Sequence, residues 1–311
     1  MEKPFLYNDF GSFLKRQFPF KVQKISLNAG FTCPNRDGSK GLGGCTFCNN
    51  QTFNPEYCHT EKSITQQLEE GKAFFAKKYP DMKYLAYFQA YTNTYGELKE
   101  LVNKYEEALA TPEVVGLVIG TRPDCMPDEL LDYLTELNRR TFLLVEYGIE
   151  SAYDRTLERI NRGHTFEQTR QAVIRTAERG IMVGGHLILG LPGESEEDIL
   201  HEADLLSALP LTTLKLHQLQ LIRGTKMAHQ YAEHPEWFHI YDVDEYIRLV
   251  VAFVGRLRRD IVLERFVSQS PKSLLIAPDW GLKNHEFTQK VYKYMIESDT
   301  WQGKNAVNTN L

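Results

Sequence analysis

Three cysteines, Cys33, Cys45 and Cys48, lie within sixteen residues of the stretch NAGFTCPNRDGSKGLGGCTFC, which runs from Asn28 to Cys48. Their spacing is C-x11-C-x2-C, on a backbone rich in glycine. Thiolates so close in sequence, on so permissive a chain, can converge on one metal centre. Two chemistries fit. A structural zinc site takes four protein ligands, and Cys58 or His59 would then supply the fourth. A cubane iron–sulfur cluster has four irons, normally with one cysteine on each, so three cysteines leave one iron open to a substrate or cofactor.

Around these thiols the chain alternates strand-like and helix-like segments, the pattern of βα units on a parallel sheet. The apolar spacing predicts strands at 22–27, 84–90, 114–120, 142–148, 181–189 and 214–221. Helices are expected at 63–78, with Ser63 as cap, and at 96–110, 128–138, 152–160, 166–179 and 196–209. Six such units in order make a partial, open version of the (β/α)8 barrel, in which chemistry sits at the C-terminal ends of the strands. The polar segments fall at those ends. The cysteine loop follows the first strand, QAYTNTY (89–95) the second and GTRPD (120–124) the third. Glu150 and Ser151 follow the fourth strand, and GLPGE (190–194) the fifth. On the sixth, polar residues alternate with leucine, which puts Lys215 and His217 on one face. Turned inward, they could bind an anion or move protons; turned outward, they are the solvated side of an amphipathic strand. After a core of 1–240, with the cysteine loop at 28–58, an extension of helix, strand and helix occupies 241–300, and 301–311 is expected to be loose.

At 311 residues and 42% apolar content the chain has enough material for one large catalytic domain. It has no run of about 18 apolar residues, so no membrane span is expected. The N-terminus lacks a basic-then-apolar leader, and five cysteines, odd in number and clustered, fit a reducing compartment; the expected location is the cytoplasm. A net charge of −5 and a pI near 6.0 give no support for broad nonspecific binding to nucleic acid.

Taken with the later segments, the cysteine triplet resembles the cluster motif of radical S-adenosylmethionine (SAM) enzymes. Most members space theirs C-x3-C-x2-C. The longer first gap here is similar to that of the bacterial YhcC/YtqA subgroup, relatives of the catalytic subunit of Elongator, and the resemblance spans about Tyr7 to Tyr294. It implies a partial (β/α)6 TIM-like barrel of radical SAM type with a C-terminal α/β extension. It also implies one [4Fe-4S] cluster on Cys33, Cys45 and Cys48, with SAM at the open iron. Where the superfamily often has Gly-Gly-Glu against the methionine amino group, this chain has Gln89 to Tyr95. Gln89, Thr92 and Asn93 are the residues expected there, and backbone carbonyls can receive the ammonium whatever the side chains. Glu150 and Ser151 match the ribose-contacting segment. Arg162, in NRGH (161–164), could grip the methionine carboxylate with its planar fork, or be a surface arginine beside Arg155 and Arg159. Leu191 belongs to a segment, 184–194, that looks like the adenine side. Lys215 and His217 are the expected catalytic pair. Cys58 is read as a spare thiol, and Cys125 as structural although close to the site.

The resemblance further implies reductive cleavage of SAM, a reductant such as flavodoxin or ferredoxin, and a tRNA wobble uridine as substrate. For the YtqA branch that means processing of carboxymethylaminomethyl-uridine toward aminomethyl-uridine. Carboxymethyl addition from acetyl-CoA is not expected, since the sequence carries no acetyltransferase segment. Arg256, Arg258, Arg259, Arg265, Lys272 and Lys283 make the C-terminal region basic, and Phe266, Trp280 and Tyr292 could stack on RNA bases. Two alternatives stand beside this reading: a radical SAM enzyme acting on a metabolite or peptide, and a non-catalytic zinc-binding module.

Overall fold

A computed structural model describes residues 5–52, 54–76 and 81–307. A short helix α1 (Phe10–Gln17) precedes strand β1 (Val22–Leu27). Five βα repeats then follow: α2 (Ile64–Ala76) and β2 (Lys83–Phe88), α3 (Leu98–Ala110) and β3 (Val114–Thr121), α4 (Asp128–Asn138) and β4 (Phe142–Glu150), α5 (Asp154–Arg159) with α6 (Phe166–Glu178) and β5 (Met182–Leu189), α7 (Glu196–Ser207) and β6 (Thr213–Gln218). The chain continues through β7 (Leu221–Ile222), α8 (Lys226–Glu233), α9 (Val243–Arg256), β8 (Val262–Arg265), β9 (Leu275–Ala277) and α10 (Asn284–Glu297).

Seven strands, in the order β1-β2-β3-β4-β5-β6-β8, form one parallel sheet. It is a curled half-barrel with helices around it. The strands are parallel because each is fed by a helix that must cross back over the sheet, and their near-continuous burial is the mark of strands covered on both faces. Alternate residues serve two different interiors. Leu27, Phe88, Ile119, Val145 and Leu216 point out to the helices, where they join Leu101, Leu134 and Leu206 in the main core. Leu85, Val118 and Leu144 point inward at the N-terminal end of the barrel and pack against Leu14 and Phe18 from α1 and its end. Farther along the strands the inward positions become polar.

The expected strand at 214–221 divides. Its first part is β6, and Leu221–Ile222 pairs antiparallel with β9 in a separate small sheet. The segment expected to lie outside the barrel, 241–300, supplies β8, the seventh barrel strand. Its four residues include two charges, which hides it from any search for apolar runs. Ser63 caps α2, accepting from the Gln66 N–H at 3.1 Å, while the expected end of that helix, 77–78, lies outside the described residues. No described helix is long and apolar enough to cross a membrane.

The last segment is tied down as far as Asn305. Gln302 is buried, and its side chain accepts from the Asn8 N–H and donates to the carbonyls of Arg258 and Ile261, each at 2.8 Å. Gly303 and Asn305 donate backbone N–H groups to the end of α9. An amide can serve three backbone groups at once, and 301–305 is therefore part of the fold; residues 308–311 lie outside the described residues. Gln302→Ala would leave those three groups without partners. It is expected to lower unfolding free energy by roughly 2–4 kcal/mol, seen in urea melts, whereas a loose tail would leave the midpoint unmoved.

Candidate functional site

All three clustered cysteines line one cavity at the C-terminal ends of the strands. The loop that carries them is held by its own backbone and by the turn after α5. Gly43 and Gly44 take φ of 80° and 78°, a region closed to most side chains. The Thr46 N–H donates to the Ile160 carbonyl at 2.9 Å, Asn161 Nδ2 to the Gly44 carbonyl at 2.8 Å, and Asn35 Nδ2 back to the Asn161 carbonyl at 2.5 Å. Sulfur donors then gather. Arg162 Nη1 lies 3.5 Å from Cys45 Sγ, Asn35 Nδ2 lies 3.8 Å from the same sulfur, and Arg122 Nη1 lies 4.0 Å from Cys33 Sγ. Cys48 is pushed up to about 12, by burial first and then by Cys45, with Arg36 and Arg162 opposing. A cation placed there would reverse that, since coordination removes the thiol proton. Among the described residues no three His, Cys, Asp or Glu side chains crowd onto one ion.

The expected cofactor residues divide into those that reach the cavity and those that stand behind it. Gln89, Thr92, Glu150 and Arg162 line it. Gln89 accepts from Ser26 Oγ at 2.9 Å. Glu150 sits at φ 67°, beside a slip of register between Gly148 and Glu150, the kind of bulge that re-aims a side chain next to a site. A Cβ on Gly148 would stand 2.5 Å from both Arg162 Nη2 and Glu150 Oε1, so a side chain there would push the ends of both aside. Arg162 is not a surface arginine. It is buried, donates to the Gly148 carbonyl at 2.6 Å and lies 3.5 Å from Glu150, while its Nε–H has no acceptor.

Asn93 stands behind the cavity, tying its loop to the Phe88 and Gly120 carbonyls at 3.1 and 2.8 Å. Leu191 belongs to an apolar cluster with Ile188, Leu219 and Phe47. Ser151 is fully buried, donates to Glu194 Oε1 at 2.5 Å and accepts from the Tyr153 N–H. Beside it Glu202 accepts from the Ala152 N–H at 2.6 Å. Burial lifts Glu194 to about 7, and burial with the neighbouring Glu194 lifts Glu202 well above its ordinary value.

Lys215 and His217 face the barrel interior, in a network that sequence reading did not assemble. Glu146, with no exposed side-chain surface, accepts from Lys24 at 2.8 Å, Lys215 at 2.5 Å and His186 at 2.9 Å. Lys24 continues to Glu264 at 2.6 Å, and Lys215 also reaches the Tyr87 hydroxyl at 3.0 Å. Burial opposes the Glu146 charge, but Lys215 and Lys24 hold its carboxyl well below the usual range. Burial and Lys215 bring His186 down to about 4, and burial with Arg265 keeps His217 neutral. Lys215 is thus engaged behind Glu146, while His217 lines the cavity and accepts from Arg265 Nη2 at 2.7 Å. Arg265 faces inward through a second slip of register. Leu214 pairs with Leu263 and Lys215 with Arg265, so Glu264 and Arg265 both turn to the interior. The signal for Glu146 and His186 was present in the alternation of inward positions; that for Arg265 was not.

Cys58 lies outside the cavity and donates to the Ser26 carbonyl at 2.7 Å. Cys125 borders a separate open groove with Asp124 and Met126. The basic, aromatic C-terminal region is not the stacking surface it was expected to be. Phe266 is buried, and Trp280 packs on Tyr246 and Phe287 with its N–H on the Tyr241 carbonyl. Tyr292 packs against the same core. Arg256 pairs with Asp204, and Arg258 donates to the carbonyls that end α7. Only Arg259, Lys272 and Lys283 of that basic set are exposed.

A model of the Radical SAM superfamily matches residues 31–206, and one of the Radical_SAM C-terminal domain matches residues 211–297. The YtqA protein of Bacillus subtilis (strain 168) is 36% identical over 298 residues, 96% of this chain and 92% of that protein. A tRNA uridine(34) acetyltransferase of Methanocaldococcus infernus is 26% identical over 188 residues, 58% of this chain and 33% of its own. Among solved structures, the archaeal M. infernus Elp3 with an N-terminal deletion matches with a TM-score of 0.66 at 17% identity, covering 91% of this chain and 64% of that one, a likeness of fold.

The Glu194 carboxyl yields a test of the wall behind the site. It titrates near 7 in the folded chain against an ordinary value of 4.5. Between those values the folded protein keeps a proton that the unfolded chain has released. Its contribution is therefore fully present below pH 4.5 and is lost as pH rises through 7. Glu194→Gln, which has no proton to lose, is expected to be more stable than the parent by roughly 1–3 kcal/mol at pH 8 and about equal at pH 4. Denaturant melts at the two pH values decide it; a gain at pH 4 alone would contradict the assignment.

Proposed function

Because this chain belongs to the radical SAM superfamily, in the group that holds the YtqA and YhcC proteins, we propose that Cys33, Cys45 and Cys48 hold one [4Fe-4S] cluster with SAM beside it. When bound, these groups would supply one-electron reductive cleavage of the sulfonium and hydrogen abstraction from substrate. The observation that carries this is the donor set. Three thiols ring one cavity, guanidinium groups address Cys45 and Cys33, and Cys58 and Cys125 lie elsewhere. Neither Cys58 nor His59, the expected fourth ligands of a zinc, lines this cavity, and three cysteines suit a group that leaves one iron open.

This chain's residues then have distinct tasks. Gln89, Thr92 and Glu150 orient the cofactor, with Glu150 accepting from ribose hydroxyls and Arg162 offering its unpaired Nε–H to the methionine carboxylate. Asn93, Ser151 and Leu191 brace that wall from behind. His217 lines the substrate side as a neutral base, and Lys215 sets its field through Glu146. A buried cavity excludes water from a reactive intermediate. Reduction calls for a donor such as flavodoxin or ferredoxin.

For substrate, the likeness to a tRNA uridine(34) acetyltransferase supports a tRNA wobble uridine, with carboxymethylaminomethyl-uridine converted toward aminomethyl-uridine. A second reading, a small metabolite or peptide, draws support from the inward-turned C-terminal arginines and aromatics, which leave little surface for RNA.

Anaerobic reconstitution should give about four irons per chain and, with dithionite and SAM, 5′-deoxyadenosine. Cys45→Ala should lose both. One tightly held zinc and no SAM cleavage would overturn the enzyme reading. Separately, tRNA nucleosides from a deletion strain should accumulate the carboxymethylaminomethyl form; an unchanged profile removes the tRNA substrate while leaving the chemistry intact.

A further inference from the structure

The interior charges of the barrel do not balance. Lys24 and Lys215 are met by Glu146 and Glu264 through contacts of 2.5–3.7 Å. Arg265 is the remaining cation, and among the described residues it has no carboxylate partner. One of its Nη2 protons goes to the neutral His217, and its Nε–H is buried without an acceptor. A guanidinium cannot shed its charge as a lysine can, so this half-buried one stays charged and without a carboxylate unless an anion arrives. The sheet invests a register slip in turning it inward, where it borders the cavity beside His217, Ser268 and Ser270.

We propose that Arg265, with His217 beside it, forms a subsite for a carboxylate carried by the substrate. The proposal deepens the reading of this cavity as a SAM-dependent site and rests on it. Three observations set the class of anion. The surplus is one positive charge, which a carboxylate neutralises. The guanidinium keeps an unused N–H edge, suited to a planar, two-oxygen partner. It also sits at an interior strand position on the cavity wall, where the end of a substrate side chain would meet it. The anion is not that of the cofactor. Arg162 and Arg122 lie 3.5 and 4.0 Å from the Cys45 and Cys33 sulfurs, whereas Arg265 donates to His217 and stands opposite Lys215 in the sheet. A wobble-uridine side chain ending in a carboxymethyl group would present such a carboxylate.

Acetate and inorganic phosphate are the probes, titrated by calorimetry into cluster-loaded protein under anaerobic conditions with SAM saturating. The expected result is saturable binding of acetate in preference to phosphate. In Arg265→Gln that binding should weaken about tenfold or more, and in Arg265→Lys, which keeps the charge but not the fork, to an intermediate degree. Absence of acetate binding to the parent protein would overturn the subsite. Preference for phosphate would overturn the carboxylate assignment, and competition between acetate and SAM would return Arg265 to the cofactor. None of these outcomes depends on tRNA. An acetate subsite together with unchanged tRNA nucleosides would therefore retire the wobble-uridine reading and keep this one.

Discussion

A carboxylate removed from water costs several kcal/mol unless its lone pairs are met, and Glu146 meets its own with donors from three other strands. Lys24 comes from β1, His186 from β5 and Lys215 from β6. A half-barrel has two free edges, and no backbone ladder joins β1 to β8 in this one. Lys24 does so by side chain, reaching Glu146 in the middle of the sheet and Glu264 on the far edge. Through Lys24 and Lys215 this one charge ties β1 and β6 to the middle of the sheet and on to Glu264 of β8, while burial, with Lys215 beside His186 and Arg265 beside His217, keeps the two histidines neutral against its pull. Removing a single partner of such a network leaves a bare ion in a dry interior, which is why its members stand or fall together.

The cysteine loop depends on the same scaffold by a different route. Its glycines let the chain turn, but the loop is placed by hydrogen bonds to the 160–162 turn and by Arg162, which touches Cys45, the Gly148 carbonyl and Glu150. Arg162 thus couples the position of the thiols to the bulged end of β4. The left-handed backbone at Glu150 is a cost that this clamp offsets, and a side chain at Gly148 would disturb both of its ends.

Much of the fold was legible because its strands are fully buried and its helices amphipathic. The bounds of β1 and α4 agree with expectation to the residue. The three clustered thiols were found by type and spacing and Gln89, Thr92, Glu150 and Arg162 by resemblance, and all of them border the cavity. What stayed hidden was long-range. Lys24 and Glu264 are 240 positions apart, and neither carries a local mark of the other. Asn93, Ser151 and Leu191 have the right neighbours in sequence, yet point into the wall because their partners, such as Glu194 and the Gly120 carbonyl, are fixed only in three dimensions. The basic run near the C-terminus misled for the same reason. Composition reports charge and ring count, and cannot say that Arg265, Phe266 and Trp280 face inward.

The slip of register in β8 places two neighbouring residues on one face of a strand, where ordinary alternation allows one. Glu264 serves the scaffold and Arg265 faces the open space, so structural and recognition duties sit on adjacent codons without sharing a side chain. Position 265 can therefore drift toward other polar or apolar residues while the clasp at 264 is kept. A lineage built on this barrel has a ready means of changing what it accepts without relearning how to fold.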